Sequence, residues 1–501
     1  MNVMNATVFR GAPWRLALGS SVLLAAMMLS TAAHAQGYFW GSTGARASGR
    51  AGAFTAKADD LAAVEFNPAG LAKLDGTLLH VGNRFSYNAH SFTRAPTLDF
   101  GNLQAGAAPL VEFSTVENQQ PWQLLEPLLG VASNLGLDDF GFALAIYAPA
   151  GAGRKEFPVD GGQRYMMVRR DVQVLAYSAS AAWSPSPKFG VGATFQWIHV
   201  PKLHYELVVD GVPFPGDANP VSSEFDMLAR VEGSDPMTLN AILGAWYRPA
   251  RFLEIGLSGQ VIPTAIQTDS TLTIDPLSTG IQGGVELTRD GRPADDVTLT
   301  LPLPLTARVG VRYIHEAQGT ELFDVELDVN YESWSRVETF TLDTDGLSAT
   351  LLGQTLDVGR IDIQKQWQDT LSFHLGGDYA LVPDLAALRA GVFYATPVAE
   401  PRHAHVDFVS GPQLGGALGG SVFLGSFEVA LAYTFRYQPK VEVSEDDASV
   451  FQEAPASQCE PPYTDPNTCH PEYLGQPAPA VNAGSYRAHA HALSLDVLHR
   501  F

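Results

Sequence analysis

Over residues 323–333 the chain alternates strictly between apolar and polar residues. Phe323, Val325, Leu327, Val329 and Tyr331 share one parity, while Asp324, Glu326, Asp328, Asn330 and Glu332 share the other. A helix would scatter those acids around its circumference; a strand gathers them on one face. The preceding segment repeats the pattern, with Leu303, Leu305, Ala307, Val309, Val311 and Tyr313 set against Thr306, Arg308, Gly310 and Arg312. A hairpin joining the two places Arg308 and Arg312 across from the acidic row. That pairing is favourable and accounts for both arginines structurally, with a ligand role as the second reading. The same alternation runs through 252–260, 371–379 and 427–437, and several of these faces end in Tyr or Trp, as an interfacial girdle does.

Followed from residue 77 to the end, the alternation predicts about fourteen antiparallel strands. They fall near 77–90, 123–133, 138–148, 166–184, 188–204, 237–248, 252–266, 303–316, 321–334, 366–380, 386–397, 405–421, 425–440 and 485–501. Short connections at 184–187, 248–251, 315–320 and 382–385 alternate with long ones over 206–236, 267–302, 335–365 and 441–484. Tight turns on one side and long loops on the other define an all-β transmembrane barrel of the outer-membrane type. A soluble sandwich needs no such asymmetry. The last strand carries Leu493, Leu495, Val497 and Phe501, interleaved with Ser494, Asp496 and Arg500. An amphipathic strand with an aromatic end resembles the signal read by the outer-membrane assembly machinery, an expected partner through Phe501.

Composition refines this picture. Arg10 and Arg15, the apolar stretch 16–33 and Ala33-His34-Ala35 read as a signal peptide over 1–35, cleaved near Gln36. Beyond it no run of 18 apolar residues provides a spanning helix. The 47 Gly, 26 Phe and 16 Tyr suit turns and aromatic girdles. A net charge of −22 excludes a nucleic-acid partner, whose phosphates require a basic face. Cys459 and Cys469 lie in a Pro-rich stretch, and in an exported chain they are expected to form a loop disulfide. His470 is the only soft ligand beside them, so no metal site is expected, and no cofactor motif is present. The pairs His403/His405 and His489/His491 fall on strand faces by phase, with no placed nucleophile, and no enzymatic activity is expected.

Residues 36–76 differ from the rest. Gly41 to Gly52 is rich in Gly and Ala, Asp59 and Asp60 are placed to cap a short helix through Ala62, Ala63 and Val64, and Asn67-Pro68-Ala69-Gly70 ends it. A piece of this length cannot build a core of its own and must pack in the barrel lumen. Ser48-Gly49-Arg50-Ala51-Gly52, Ala58-Asp59-Asp60 and Phe66-Asn67-Pro68-Ala69-Gly70-Leu71 resemble the N-terminal hatch of FadL-type long-chain fatty acid transporters. Further matches lie at 177–197, Leu301-Pro302, 330–336, Trp367-Gln368-Asp369-Thr370, 389–391 and 396–398, but not in the four long loops. The resemblance implies a hatch over 36–76 carrying Asn67, Pro68, Ala69 and Gly70, and a barrel over 77–501. It further implies capture of a hydrophobic ligand among extracellular loops, transfer to a pocket beside the hatch, and lateral release through a kinked strand, here mapped to about 166–184. Fatty acid and membrane lipid are then the expected partners. Leu207, Val209, Val212, Phe214 and Met227 offer apolar capture surface, and Arg84, Arg308 and Arg312 are candidates for a carboxylate head group. Uptake of aromatic or other small hydrophobic compounds is the alternative within the family; a polar-solute porin, a membrane hydrolase and a purely structural barrel are alternatives outside it.

Overall fold

The computed structural model describes residues 43–98, 109–149, 153–210, 226–277, 284–351, 354–451 and 480–501, with Val221 and Ser223. The expected signal peptide and the Cys459–Cys469 pair lie outside the described residues. Fourteen strands form the wall. They are β1 (Thr77–Arg94), β2 (Trp122–Ser133), β3 (Phe140–Tyr147), β4 (Arg169–Ser186), β5 (Phe189–Asp210), β6 (Asp226–Ala250) and β7 (Leu253–Gln260). The second half comprises β8 (Thr306–Ala317), β9 (Thr320–Glu332), β10 (Thr370–Val382), β11 (Ala386–Ala395), β12 (Gln413–Leu424), β13 (Phe427–Val443) and β14 (Gly484–Arg500). Each pairs antiparallel with the next. The sheet closes where β1 meets β14, from Leu78 opposite Arg500 to Arg94 opposite Gly484. Closure leaves no edge, the condition for strands in a bilayer.

The phase of the wall follows from its two solvents. On β9 Val325 and Leu327 are 44% and 47% exposed, whereas Asp324, Glu326 and Asp328 are 1% or less. The apolar side therefore faces outward, to lipid, and the acids face the lumen. The outward row continues as Leu371, Phe373 and Leu375 on β10, Leu431, Tyr433 and Phe435 on β13, and Leu493, Leu495 and Val497 on β14. His489 and His491 stand on this outer face among Tyr87, Tyr433 and Phe435 rather than in the lumen. His403 and His405 lie on no strand: β12 begins at Gln413, and His403 ends a short 3-10 turn, Pro401–His403.

Among the described residues, three of the four expected long loops are largely strand. β5 continues to Asp210 and β6 begins at Asp226. Residues Met227 to Ser234 of β6 then pair with the strand Ala265–Pro276, and the ladder goes on through Asp296–Pro302, Thr339–Asp343 and Ile361–Gln364. These extensions rise past the apolar belt. Their inner face is apolar and their outer face wet, the reverse of the membrane zone, so one alternating template does not cover both. The inward parity changes on β5 between Val200 and Leu203, and on β6 between Val231 and Thr238, with register shifts at both places. Pro201 and Pro236 sit at the two changes, where a residue without an N–H fits an irregular ladder.

Residues 43–76 fill the lower lumen with two short helices, α1 (Ala45–Gly49) and α2 (Ala63–Phe66), and a 3-10 turn, Pro68–Lys73. Phe54, Leu61, Val64 and Leu71 are fully buried against wall residues such as Leu78, Leu128 and Ala176. Glycine on the wall makes room: a Cβ at Gly376 would lie 2.2 Å from the Arg50 carbonyl oxygen.

Candidate ligand-binding site

The hatch is fastened by charge. The Arg50 guanidinium, fully buried, reaches Asp324 (2.6 Å), Glu326 (2.9 Å) and Asp378 (2.8 Å). Backbone N–H groups of Phe54 and Thr55 donate to Asp328 (2.9 Å each), and that of Ala56 donates to Glu326 (2.5 Å). Arg46 pairs with Asp59 and Asp60 inside the hatch and with Glu428 on the wall. The acidic row of β9 is thus mainly a hatch clamp. Of the two arginines set across from it, Arg312 joins Asp324, Glu321 and Glu254, while Arg308 turns away to donate to the Glu65 carbonyl (2.7 Å).

The Asn-Pro-Ala element is a backbone bracket. Asn67 Nδ2 donates to the carbonyls of Thr55 (2.9 Å) and Ala245 (3.0 Å), and its Oδ1 accepts from the Ala69 N–H (3.2 Å). Pro68 starts the 3-10 turn, where its missing N–H costs nothing. Gly70 is demanded by space, since a Cβ there would fall 2.0 Å from the Ala58 oxygen.

Above the hatch lie three spaces that share lining residues. The outermost, about 1330 Å³ with its mouth, is walled by Leu207 and Val209 of β5, Ala229 and Val231 of β6, Leu272, Leu299, Phe340 and Ile363 of the extensions, and Phe408. Only Arg170, Asp362, Gln364 and His405 bring charge or amide to it. A polar passage follows, lined by Arg84, His90, Gln123, Glu126, Arg154, Lys155, Arg170 and Asp407. Arg170 and Phe408 belong to both spaces. The innermost space, about 1050 Å³ with its opening, sits on the hatch beside Phe66, Tyr147, Ile198 and Ile242, and carries Arg84, Arg308, Arg436, Glu65 and Glu332.

Of the residues singled out from sequence, Leu207 and Val209 line the outer cavity, and Arg84 and Arg308 line the inner one. Met227 is buried at the start of β6 and lines neither. Arg312 lines neither as well, because its guanidinium is spent on carboxylates below. Val212 and Phe214 lie outside the described residues. The sequence pattern does not mark Lys155, Arg170, Lys365 or Asp407, which come from four separate segments and meet only in space. A free cue was available for the hatch cations: five inward polar positions on β9 exceed what two arginines can serve.

The interrupted strand is β3, one strand before the segment mapped from sequence. β4 runs unbroken from Arg169 to Ser186, with register shifts only. Facing it, β3 stops at Tyr147, and a second piece, Gly153–Glu156, resumes the ladder with β4. β2 pairs with β3 only from Leu128–Tyr147 to Ser133–Phe142. Higher up, Trp122 and Gln123 pair with β1 alone, until Gln119 N–H reaches the Glu156 carbonyl (2.8 Å). Among the described residues this leaves a window in the hydrogen-bonded ladder, above the Ala148 N–H to Pro127 carbonyl bond (3.1 Å), flanked by Pro127 and Pro149, neither of which has an N–H to offer.

A closed fourteen-stranded barrel with an apolar outer belt, an internal hatch and a chain of cavities is an outer-membrane channel for hydrophobic compounds. Residues 26–407 match the sequence profile of the outer membrane transport proteins OMPP1/FadL/TodX, and the chain belongs to that family. Among solved structures it is similar to a Pseudomonas aeruginosa FadL homologue, with TM-score 0.66 and 15% identity over 93% of this chain and 100% of that one. It is also similar to the P. putida toluene transporter TodX (0.61; 14%; 92% and 99%) and the Ralstonia pickettii toluene transporter TbuX (0.57; 14%; 92% and 98%). At these identities the likeness concerns the fold. Among curated proteins no sequence matches significantly.

Proposed function

We propose that the protein takes up long-chain fatty acids, capturing them in the outer cavity and releasing them sideways into the bilayer. The observation that carries this reading is the outer cavity itself: an apolar lining from several strand extensions, with Arg170 and His405 among its few polar members. Each methylene entering such a space gains about 0.8 kcal/mol, so a long tail is held far more strongly than a single ring. The inner cavity fits a head group, since Arg84, Arg308 and Arg436 line it with Tyr147 and Pro149 at the edge of the window. Leu207 and Val209 would then bind tail, and Arg84 and Arg308 head group.

Import of monoaromatic compounds is the second reading, favoured by the fold likeness to toluene transporters and a monoaromatic hydrocarbon channel. Titration of the purified protein with oleate and with toluene separates the two. Submillimolar binding of oleate with none of toluene is the expected result; the reverse transfers the protein to aromatic uptake.

A further inference from the structure

Between the outer cavity and the polar passage runs a short strap of chain, residues 404–409, with no strand of its own. His405 and Phe408 face the cavity, and Asp407 and Phe408 face the passage. Side chains from elsewhere hold it. Lys365 Nζ lies 2.5 Å from one Asp407 carboxylate oxygen, and His405 Nδ1 lies 2.6 Å from the other. Lys155 Nζ donates to the backbone carbonyls of Val406 and Asp407 (2.9 Å each), and Arg170 donates to the Asp407 carbonyl (3.0 Å). The Arg170 guanidinium also covers the Phe408 ring at 4.3 Å. Three buried cationic side chains thus converge on a strap whose sequence carries one carboxylate.

We propose that Asp407 stands where a ligand carboxylate goes, and that an amphiphile whose tail fills the outer cavity displaces it, freeing the strap and joining cavity to passage. The proposal rests on the uptake reading and narrows it to ligands that carry an anionic head. Arg170 gives the physical reason. It lines both spaces and donates to the Asp407 backbone carbonyl, and a ligand carboxylate arriving there is a stronger acceptor for a guanidinium than that carbonyl is. Lys155 is likewise held by carbonyls, and burial together with the Arg170 charge pulls its ammonium well below the usual lysine range. A second anion would relieve that penalty. A neutral long-chain molecule fills the same cavity without displacing Asp407, so it should be bound and not passed on.

The test compares oleate with oleyl alcohol on the purified full-length protein, reading affinity by titration and strap opening by hydrogen exchange over 404–409. Oleate is expected to raise exchange there about tenfold or more, and oleyl alcohol to leave it unchanged. Asp407→Asn should tighten oleate about tenfold, leave the alcohol within about twofold, and open the strap without ligand. Should that variant fail to fold, Asp407→Ser, which also removes the carboxylate and keeps all three cations, is expected to act in the same direction. Equal strap opening by both ligands, or an equal shift of both affinities in either variant, overturns the latch while leaving uptake intact. Binding of neither ligand removes the uptake reading, and the latch with it.

Discussion

Arg50 shows how much one side chain can fix in this barrel. It is fully buried and answers Asp324, Glu326 and Asp378, so Arg50→Met removes the one cation that all three share, leaving Asp324 to Arg312 and Lys57, Asp378 to Arg389, and Glu326 to the Ala56 N–H. Removing one member of a buried ion pair costs about 3–5 kcal/mol, enough to free a hatch with no core of its own. The expected outcome is fast hydrogen exchange over 45–76, together with ion conductance in planar bilayers where the parent protein shows little. Asn67→Ala is milder. It strands the carbonyls of Thr55 and Ala245, each worth about 1–3 kcal/mol when left without a donor, and should raise hatch exchange while conductance stays low. Of these two residues, Asn67 was legible in the sequence through its motif. Arg50 stood in the hatch-like stretch Ser48 to Gly52, but its role was not legible, because its partners are more than 270 positions away. The excess of inward acids on β9 over the nearby arginines was the one local hint that cations had to come from elsewhere.

At the scale of the strand, the alternation was readable wherever the wall meets lipid, and misleading above it. Leu207 and Val209 have the parity that faces lipid lower on the same strand, yet they line the outer cavity, because the ladder shifts beside Pro201. A proline inside an alternating run was the available signal for that change of face. Since Val231 lies on the cavity side, Val231→Asp should weaken oleyl alcohol and oleate alike by about tenfold or more, a charge having been set against the tail. Titration with both ligands checks this, and an unchanged affinity would place the tail elsewhere. The strap 404–409 adds a pH dependence. Burial pulls His405 below its ordinary value and lowers Lys155 and Lys365, and the nearby cations hold Asp407 far below the usual carboxylate range. Arg170, His90 and Tyr205 also face this group. For His405, Lys155, Lys365 and Asp407 alike the opened strap binds protons more readily than the closed one, so closure strengthens as pH rises and weakens as it falls; Tyr205, raised by burial, acts only in the alkaline range. Within the range where His405 titrates, below its ordinary value of about 6.5, the loss grows as pH drops toward its lowered value. Exchange over 404–409, corrected for intrinsic rates, should therefore be faster at pH 5 than at pH 8.

For the molecule as a whole, the decisive feature is a closed barrel whose ladder is interrupted, among the described residues, between β2 and β3. Cyclic pairing gives every strand two neighbours. The hatch, meanwhile, blocks the way down through the lumen. On the proposed uptake reading, a hydrophobic ligand that passes the strap leaves through the window between β2 and the interrupted β3, where lipid supplies the competing apolar phase. Pro127 and Pro149 border this window, and each withholds an N–H that a continuous ladder would use. Replacing both with valine restores two donors and favours strand geometry, so that β2 and β3 can pair further upward. Capture of oleate in the outer cavity of this double variant should stay within about twofold of the parent, because neither residue lines that cavity, although Pro149 borders the inner one. Uptake by cells carrying it should fall about tenfold or more, since the exit is closed while the entrance is untouched. Uptake at the parental rate, with binding also unchanged, would show that the ligand leaves by another path and that the window is a packing irregularity.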